Sequence, residues 1–234
     1  MTDKNVQLLD KTVHRTLTID TSQVDIAENQ INMAMVVVNE LSTIVHEYPV
    51  FIAKNPQTGQ FMLGALLGLK SGQNLFIQDG QWQASYLPLE ILRRPFQALF
   101  DPEKPQEGGR IAIDLNHPQV VKDGQKIFDD KGEATEYLKR IQQTFAALMA
   151  GTQQTTEILT QADKLGLIEG INISVDLANG EKAALNGLFA FNQQAVSKLS
   201  GDNLELAHTS GILQVCHLVL SSGLHLQKLV KWAG

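Results

Sequence analysis

Cysteine occurs once in the 234 residues, at Cys216, which rules out an intramolecular disulfide and suits a reducing compartment. Its apolar neighbours, Leu213 to Leu220, make it read as a buried small hydrophobe, with a catalytic thiol as the lesser alternative. Long hydrophobic runs are also missing. The longest, FMLGALLGL at 61 to 69 and MAMVVV at 33 to 38, fall short of half the ~20 residues a spanning helix needs, so a membrane-embedded protein is not expected. The opening MTDKNVQLLDKTVHRTLTID has no continuous apolar stretch followed by a small-residue cleavage site, and reads as unprocessed and cytoplasmic. Positive charge is scarce. The formal net charge is −6, and the densest basic clusters, Lys139–Arg140 and Arg93–Arg94, are too small for a nucleic-acid footprint. Neither GxGxxG nor GxxxxGK(S/T) occurs, so ATP, NAD and FAD find no phosphate cradle and no cofactor is expected. HExxH, CxxC and His-x-His are absent too. His208, His217 and His225 share the C-terminal helical region, but their spacing turns them by about 180° and 80° on a continuous helix, so no zinc site is expected.

What is present is the composition of a folded chain: 43% hydrophobic with 19% charged residues, long enough to bury a sizeable core in one domain, with two lobes, without staples. Residues 1–30 are polar and read as half-ordered, with a strand at Val13 to Ile19. A strand at Ile31 to Val38 leads through Asn39, as N-cap, into a short helix ending near His46. Val50 to Lys54 and Phe61 to Leu69, joined by NPQTG, read as a hairpin, and a strand from Asn74 to Gln78 ends at the turn Asp79-Gly80. DPEKPQEGG, from Asp101 to Gly109, reads as an exposed loop or lobe boundary. Arg110 to Leu115 alternates as a strand, with Lys126 to Phe128 as its partner. From residue 130 the period changes. Asp130 and Glu133 resemble a capping box, a helix follows to about 150, and a second runs from Thr152 to Leu165 and stops at Gly166. Alternation up to Asn179-Gly180 signals another hairpin, with Leu185 and Phe189 on its return strand. Helices near Gln193 to Leu199, near Leu204 to His208, and from Ile212 towards Trp232 close the chain. The fold class is α+β: antiparallel strands and hairpins in the N-terminal half, helices around a further hairpin in the C-terminal half.

At YPVFIAKNPQTGQFMLGALLGLKSGQNLFI, followed by GQWQASYLPLEILRRPF, the chain resembles the bacterial SapC-like family, which has the same order of Tyr-Pro, Thr-Gly turn, ALLGL core and Asn-Leu-Phe. KIFDDKGEATEYL, GLIEGINISVDLANGEKAALNGLFAFN and HTSGILQVCHLVLSSGLHLQKL agree as well, so the resemblance runs from about residue 31 to 230. It implies a single domain over that range, with lobes of about 31–128 and 129–234. Two departures stand out: the family usually has Arg-Arg-Tyr-Pro-Phe where this chain has Arg93-Arg94-Pro95-Phe96, and Glu where it has Gln73. The resemblance implies a link to secretion of a surface-layer protein and no established catalytic activity. The name is shared with a permease subunit of a peptide transporter, which would need several long apolar helices.

The candidate contact strip is Trp82, Tyr86, Arg93 and Arg94. Guanidinium forks suit carboxylates, and aromatic rings add stacking area, so the strip reads as a grip for a peptide or protein partner. The competing reading has Trp82 and Phe96 plugging the core while the arginines pair with acids such as Glu90 or Asp101. Glu40, after a buried-looking strand, is a candidate base or pocket acid, although a carboxylate in a first helical turn is favoured by the dipole alone. Ser221-Ser222 beside His217 invites a hydrolase reading, but no nucleophile elbow precedes it, and such a pair beside glycine more often permits packing or a kink. Asp114 and His117 in DLNHP form a possible ligand pair or a strand-ending turn. The reading favours a non-catalytic binding or accessory protein tied to surface-layer or peptide export. Its rivals are an enzyme whose site gathers Glu40, Arg93, Arg94 and a C-terminal histidine between lobes, and a structural subunit with a large apolar patch. No oligomeric state follows from the sequence.

Overall fold

The computed structural model describes residues 4–100, 103, 109–178 and 180–234. In chain order the first half contains β1 (Val6–Leu8), β2 (Thr18–Ile19), β3 (Met33–Val36), α1 (Leu41–Ile44), β4 (Val50–Lys54), β5 (Phe61–Leu66), β6 (Ile77–Gln78) and β7 (Gln81–Trp82). There follow α2 (Leu89–Leu92), β8 (Phe96–Phe100), β9 (Gly109–Asp114), β10 (Val120–Val121), β11 (Gln125–Lys126) and α3 (Glu136–Lys164). The chain closes with β12 (Ile168–Asp176), β13 (Lys182–Phe191), α4 (Gln193–Ser197), α5 (Gly201–Thr209), α6 (Ile212–Ser222) and α7 (Leu226–Ala233). This is the α+β arrangement, antiparallel in every named strand pair, that the hairpin signals predict.

A five-stranded sheet in the order β12-β13-β4-β5-β3 forms the centre. Its β4–β5 hairpin runs from Val50 opposite Ala65 to Lys54 opposite Phe61, and Asn55 closes the loop by accepting from the Gln57 and Thr58 amides at 2.8 and 3.2 Å. The β12–β13 hairpin joins through Phe189 opposite Ile52, so strands from both halves of the chain share one sheet. Asn179 of its turn, and all of the DPEKPQEGG stretch except Glu103 and Gly109, lie outside the described residues. A smaller sheet, β1-β9-β8, and a third, β10-β2-β11, surround a second apolar cluster of Ile19, Phe96, Ile113 and Phe145.

Several elements differ from expectation, some for tertiary reasons and some for local ones. The predicted break at residue 151 does not occur, and α3 runs unbroken for 29 residues. Gly151 lies where the helix presses on the chain after β3; a Cβ there would meet the Val37 side chain at 2.7 Å. Thr155 completes the contact, its Oγ donating to the Gly151 carbonyl and accepting from the Val38 amide at 3.0 Å. The same bond ends β3 short of Val38. Asn39 is no N-cap: it sits inside a 3-10 turn, Val38–Glu40. At the start of α3 the cap is Thr135, accepting from the Leu138 amide at 3.4 Å, while Asp129 rather than Asp130 accepts from the Glu133 amide. The expected strand before Thr18 is a turn, in which Asp10 accepts from the Thr12 and Val13 amides, and the segment is tied down by β1 on β9. Lys126 pairs with β2, not with β9. The strand expected from Asn74 shortens to Ile77–Gln78, because buried Asn74 turns its side chain to the Asn29 carbonyl and the Phe76 amide.

Helix α3 joins the two clusters. Its first turns put Leu138, Ile141 and Phe145 into the smaller one, and its last put Ile158, Leu159 and Ala162 into the larger one. The C-terminal helix predicted from Ile212 breaks at a 3-10 turn, Gly223–His225, consistent with the kink its Ser-Ser-Gly suggests.

Candidate functional site

The segment around residues 78–96 is positioned from its turn onward. Asp79 and Gly80 both take positive φ, 49° and 72°, as a tight Asp-Gly hairpin turn requires. That turn sets Trp82 opposite Ile77 and stacks its indole on Phe76, with ring centroids 5.9 Å apart. The indole Nε1 donates to the Tyr48 hydroxyl at 2.7 Å, and Tyr48 donates in turn to the Tyr86 carbonyl. The Tyr86 hydroxyl donates to Glu40 Oε2 at 3.0 Å. Glu40 also accepts from the Leu89 amide at 3.1 Å and, through Oε1, from the Val37 amide at 3.0 Å. Burial raises its pKa above the ordinary glutamate value, against the pull of those three hydrogen bonds. The structure thus brings Glu40 and Tyr86 together, as a clasp holding the start of α2 against the end of β3.

Glu47 is a second clasp. It accepts from the Ser85 and Tyr86 amides at 3.0 and 3.1 Å and from the Ser85 hydroxyl at 2.5 Å. Burial pushes its pKa up, but these bonds and nearby Lys228 outweigh that and hold it below the ordinary value. Lys228 donates to the Glu47 carbonyl at 2.5 Å and lies 4.8 Å from the centre of the Phe76 ring.

The arginines face elsewhere. Arg93 forms a two-point pair with Glu90, its Nε donating to Oε2 at 2.8 Å and Nη2 donating to Oε1, while Nη1 donates to the Phe96 carbonyl at 2.9 Å. Arg94 donates through Nη1 to the Glu28 carbonyl and the Asn29 side-chain oxygen, and burial lowers its pKa. The pairing with Glu90 matches the packing alternative; Asp101 lies outside the described residues.

Two clefts meet at this point. One, of about 240 Å³, is polar, with Lys4, Glu28, Arg93, Arg94, Asp114 and His117 in its wall. The other, of about 650 Å³, lies between β8 and α3 and is mostly apolar, with Ala98, Phe100, Phe145, Leu148 and Met149 around it. Arg93 and Gln97 line both. Trp82, Tyr86 and Glu40 line neither, so the four members of the sequence-derived strip do not line one cleft together. Asp114 and His117 do come together. Asp114 ends β9 and accepts from the Asn5 and Asn116 amides at 2.9 and 3.1 Å, and His117 sits in the turn after it, the strand-ending turn of the second reading. Lys4, Glu28 and the α3 wall carry no signal in the sequence. In the structure two large apolar side chains around the apolar cleft, Phe100 and Met149, are 56% and 45% exposed.

The other reactive candidates sit in packing roles. Ser222 donates to the Val219 carbonyl at 2.6 Å and accepts from the Val50 amide at 2.9 Å, fastening α6 to β4. Ser221 donates to the Leu218 carbonyl. Cys216 is fully buried, and burial pushes its thiol up to about 12. Among the described residues no three histidine, cysteine or carboxylate side chains gather as metal ligands would, and no helix is long and apolar enough to cross a membrane.

The chain is thus α+β, with a charged cleft opening beside an apolar one. The SapC family model matches residues 9–229, and the chain belongs to that family. The match begins earlier than the resemblance at residue 31 suggests, and it takes in the segment that carries β2. Comparison with curated proteins and with solved structures returned no match.

Proposed function

We propose that this SapC-family chain is a binding or accessory protein for a peptide or protein segment, with Arg93 and Arg94 at the point of contact. The observation that carries the reading is the position of Arg93, on the wall shared by the polar and the apolar cleft. A space of about 650 Å³ has room for apolar side chains, and Arg94 and Lys4 in the adjoining polar cleft favour a segment with an acidic or carboxylate group at one end. In this reading Trp82, Tyr86 and Glu40 support the contact from behind, since their polar atoms are spent inside the protein. The link to surface-layer or peptide export that the family resemblance implies belongs to the same proposal. Glu40 and the C-terminal histidines line neither cleft, which weighs against a catalytic site gathering them with Arg93 and Arg94.

The test replaces Met149 with a photo-crosslinking benzoylphenylalanine in cells of the natural host. Met149 is half-exposed, so the substitution leaves the core intact. The expected result is one dominant crosslinked partner that is absent when the probe stands at exposed Glu205 on α5. Identical crosslinking patterns from the two positions would sink the proposal.

A further inference from the structure

Two residues lining the polar cleft each carry a buried polar atom, one donor and one acceptor, without a partner among the described residues. His117 is only 7% exposed, and its Nε2 has no hydrogen-bond partner among the described residues. Its Nδ1 accepts from the Gln119 amide at 3.3 Å, so in the neutral ring the proton sits on Nε2, which is therefore an unused donor. Burial lowers the pKa of His117 and keeps the ring neutral at neutral pH. Glu28 Oε2, also buried and without a partner among the described residues, is an unused acceptor. Both residues line the same space of about 240 Å³. Unmet donors and acceptors in a protein interior are costly, and native structures rarely keep them without a ligand or water to satisfy them.

The charges narrow the occupant. Arg93 is matched by Glu90, which leaves Lys4 and Arg94 as the other cations, and Glu28 and Asp114 as the carboxylates, in the wall of the cleft. A site with two cations, two carboxylates, an unbonded N–H and an unbonded carboxylate oxygen suits a group that carries both negative charge and an N–H donor. A simple anion satisfies His117 and leaves Glu28 unmet. A carboxylate with a nitrogen on the adjacent carbon satisfies both. Free amino acids and the last residue of a peptide share that chemistry, but only the peptide continues past Arg93 and Gln97 into the apolar cleft.

We propose that the cleft lined by His117, Glu28, Lys4 and Arg94 binds the C-terminal residue of a peptide, the carboxylate meeting His117 Nε2–H and the cations, and the terminal amide N–H meeting Glu28. The proposal rests on the peptide-binding reading above and adds which end of the peptide is read and by which side chains.

The experiment titrates the tripeptide Ala-Leu-Leu into the full chain while NMR follows the His117 ring and the Met149 methyl, one reporter for each cleft. Saturable shifts of both are expected, with the C-terminally amidated tripeptide about tenfold weaker, the equivalent of one lost charge-assisted hydrogen bond. His117→Asn keeps an acceptor for the Gln119 amide but not the reach of Nε2, and should weaken the acid tripeptide about tenfold by the Met149 signal. If that variant does not fold, Lys4→Glu on the exposed N-terminal segment should weaken it about threefold. Equal affinity for acid and amide overturns the proposal. So does free leucine binding as tightly as the tripeptide, or displacement of the tripeptide by equimolar inorganic phosphate. A Met149 shift without a His117 shift overturns the terminus assignment and leaves the peptide reading standing; no shift at either reporter counts against both.

Discussion

Glu40 and Glu47 hold the same stretch of chain with opposite electrostatics. Glu40 is held deep enough that burial dominates, so its native pKa lies above the ordinary 4.5. Its native form therefore binds a proton more tightly than the unfolded chain does, and its contribution to stability falls as pH rises from about 4.5 through the native value. Glu47 has its native pKa drawn below 4.5, so its contribution is complete above that value and is lost as pH falls through the native one. Urea denaturation between pH 3.5 and 8 should separate the two. Relative to Glu40→Gln, the wild type should lose stability with rising pH; relative to Glu47→Gln, it should gain. Glu40→Gln also carries a pH-independent penalty of about 1–3 kcal/mol, because its single amide oxygen can accept from the Val37 or the Leu89 amide but its nitrogen cannot accept from the other, so the slope is the quantity to read. Slopes of the same sign for both variants would refute the assignment.

Among the elements, α3 shows most clearly how packing overrides a local rule. Glycine inside a helix costs about 1 kcal/mol relative to alanine, so propensity by itself predicts that Gly151→Ala stabilises the protein. The 2.7 Å approach to Val37 reverses the sign. Val37 is buried and its backbone is held by Glu40, so it has little room to yield. Gly151→Ala should therefore destabilise by about 1–3 kcal/mol in urea titration, the usual cost of overpacking. A midpoint at or above that of the wild type would show that the contact relaxes freely.

For the molecule as a whole, the question is whether two apolar clusters make two folding units. Because α3 enters both, and strands of both halves share the central sheet, the clusters should unfold together. Trp82 and Trp232 pack against the larger cluster, while Leu138 lies in the smaller one. Leu138→Ala should cost about 2–5 kcal/mol and shift the tryptophan-reported urea midpoint together with the far-ultraviolet signal. A tryptophan transition unmoved by that change would mean that the clusters unfold separately.

The α+β class, the β4–β5 and β12–β13 hairpins, the Asp79-Gly80 turn and the SapC family were all legible in the linear chain. Each depends on neighbours a few residues apart: alternation, turn chemistry and short characteristic strings. The Arg93–Glu90 pair was legible for the same reason, lying one helical turn apart. The early end of β3 was not, because Thr155, 117 residues along the chain, takes up the Val38 amide, and neither was the continuity of α3 across Gly151, where the helix presses on Val37. Nor were the clefts. Lys4, Glu28, Arg93, His117 and Phe145 come from separate stretches of the chain, and no periodicity links residues that meet only after the sheets have closed around α3. Local chemistry set most of the elements, and long-range packing adjusted their ends and chose which side chains line the clefts.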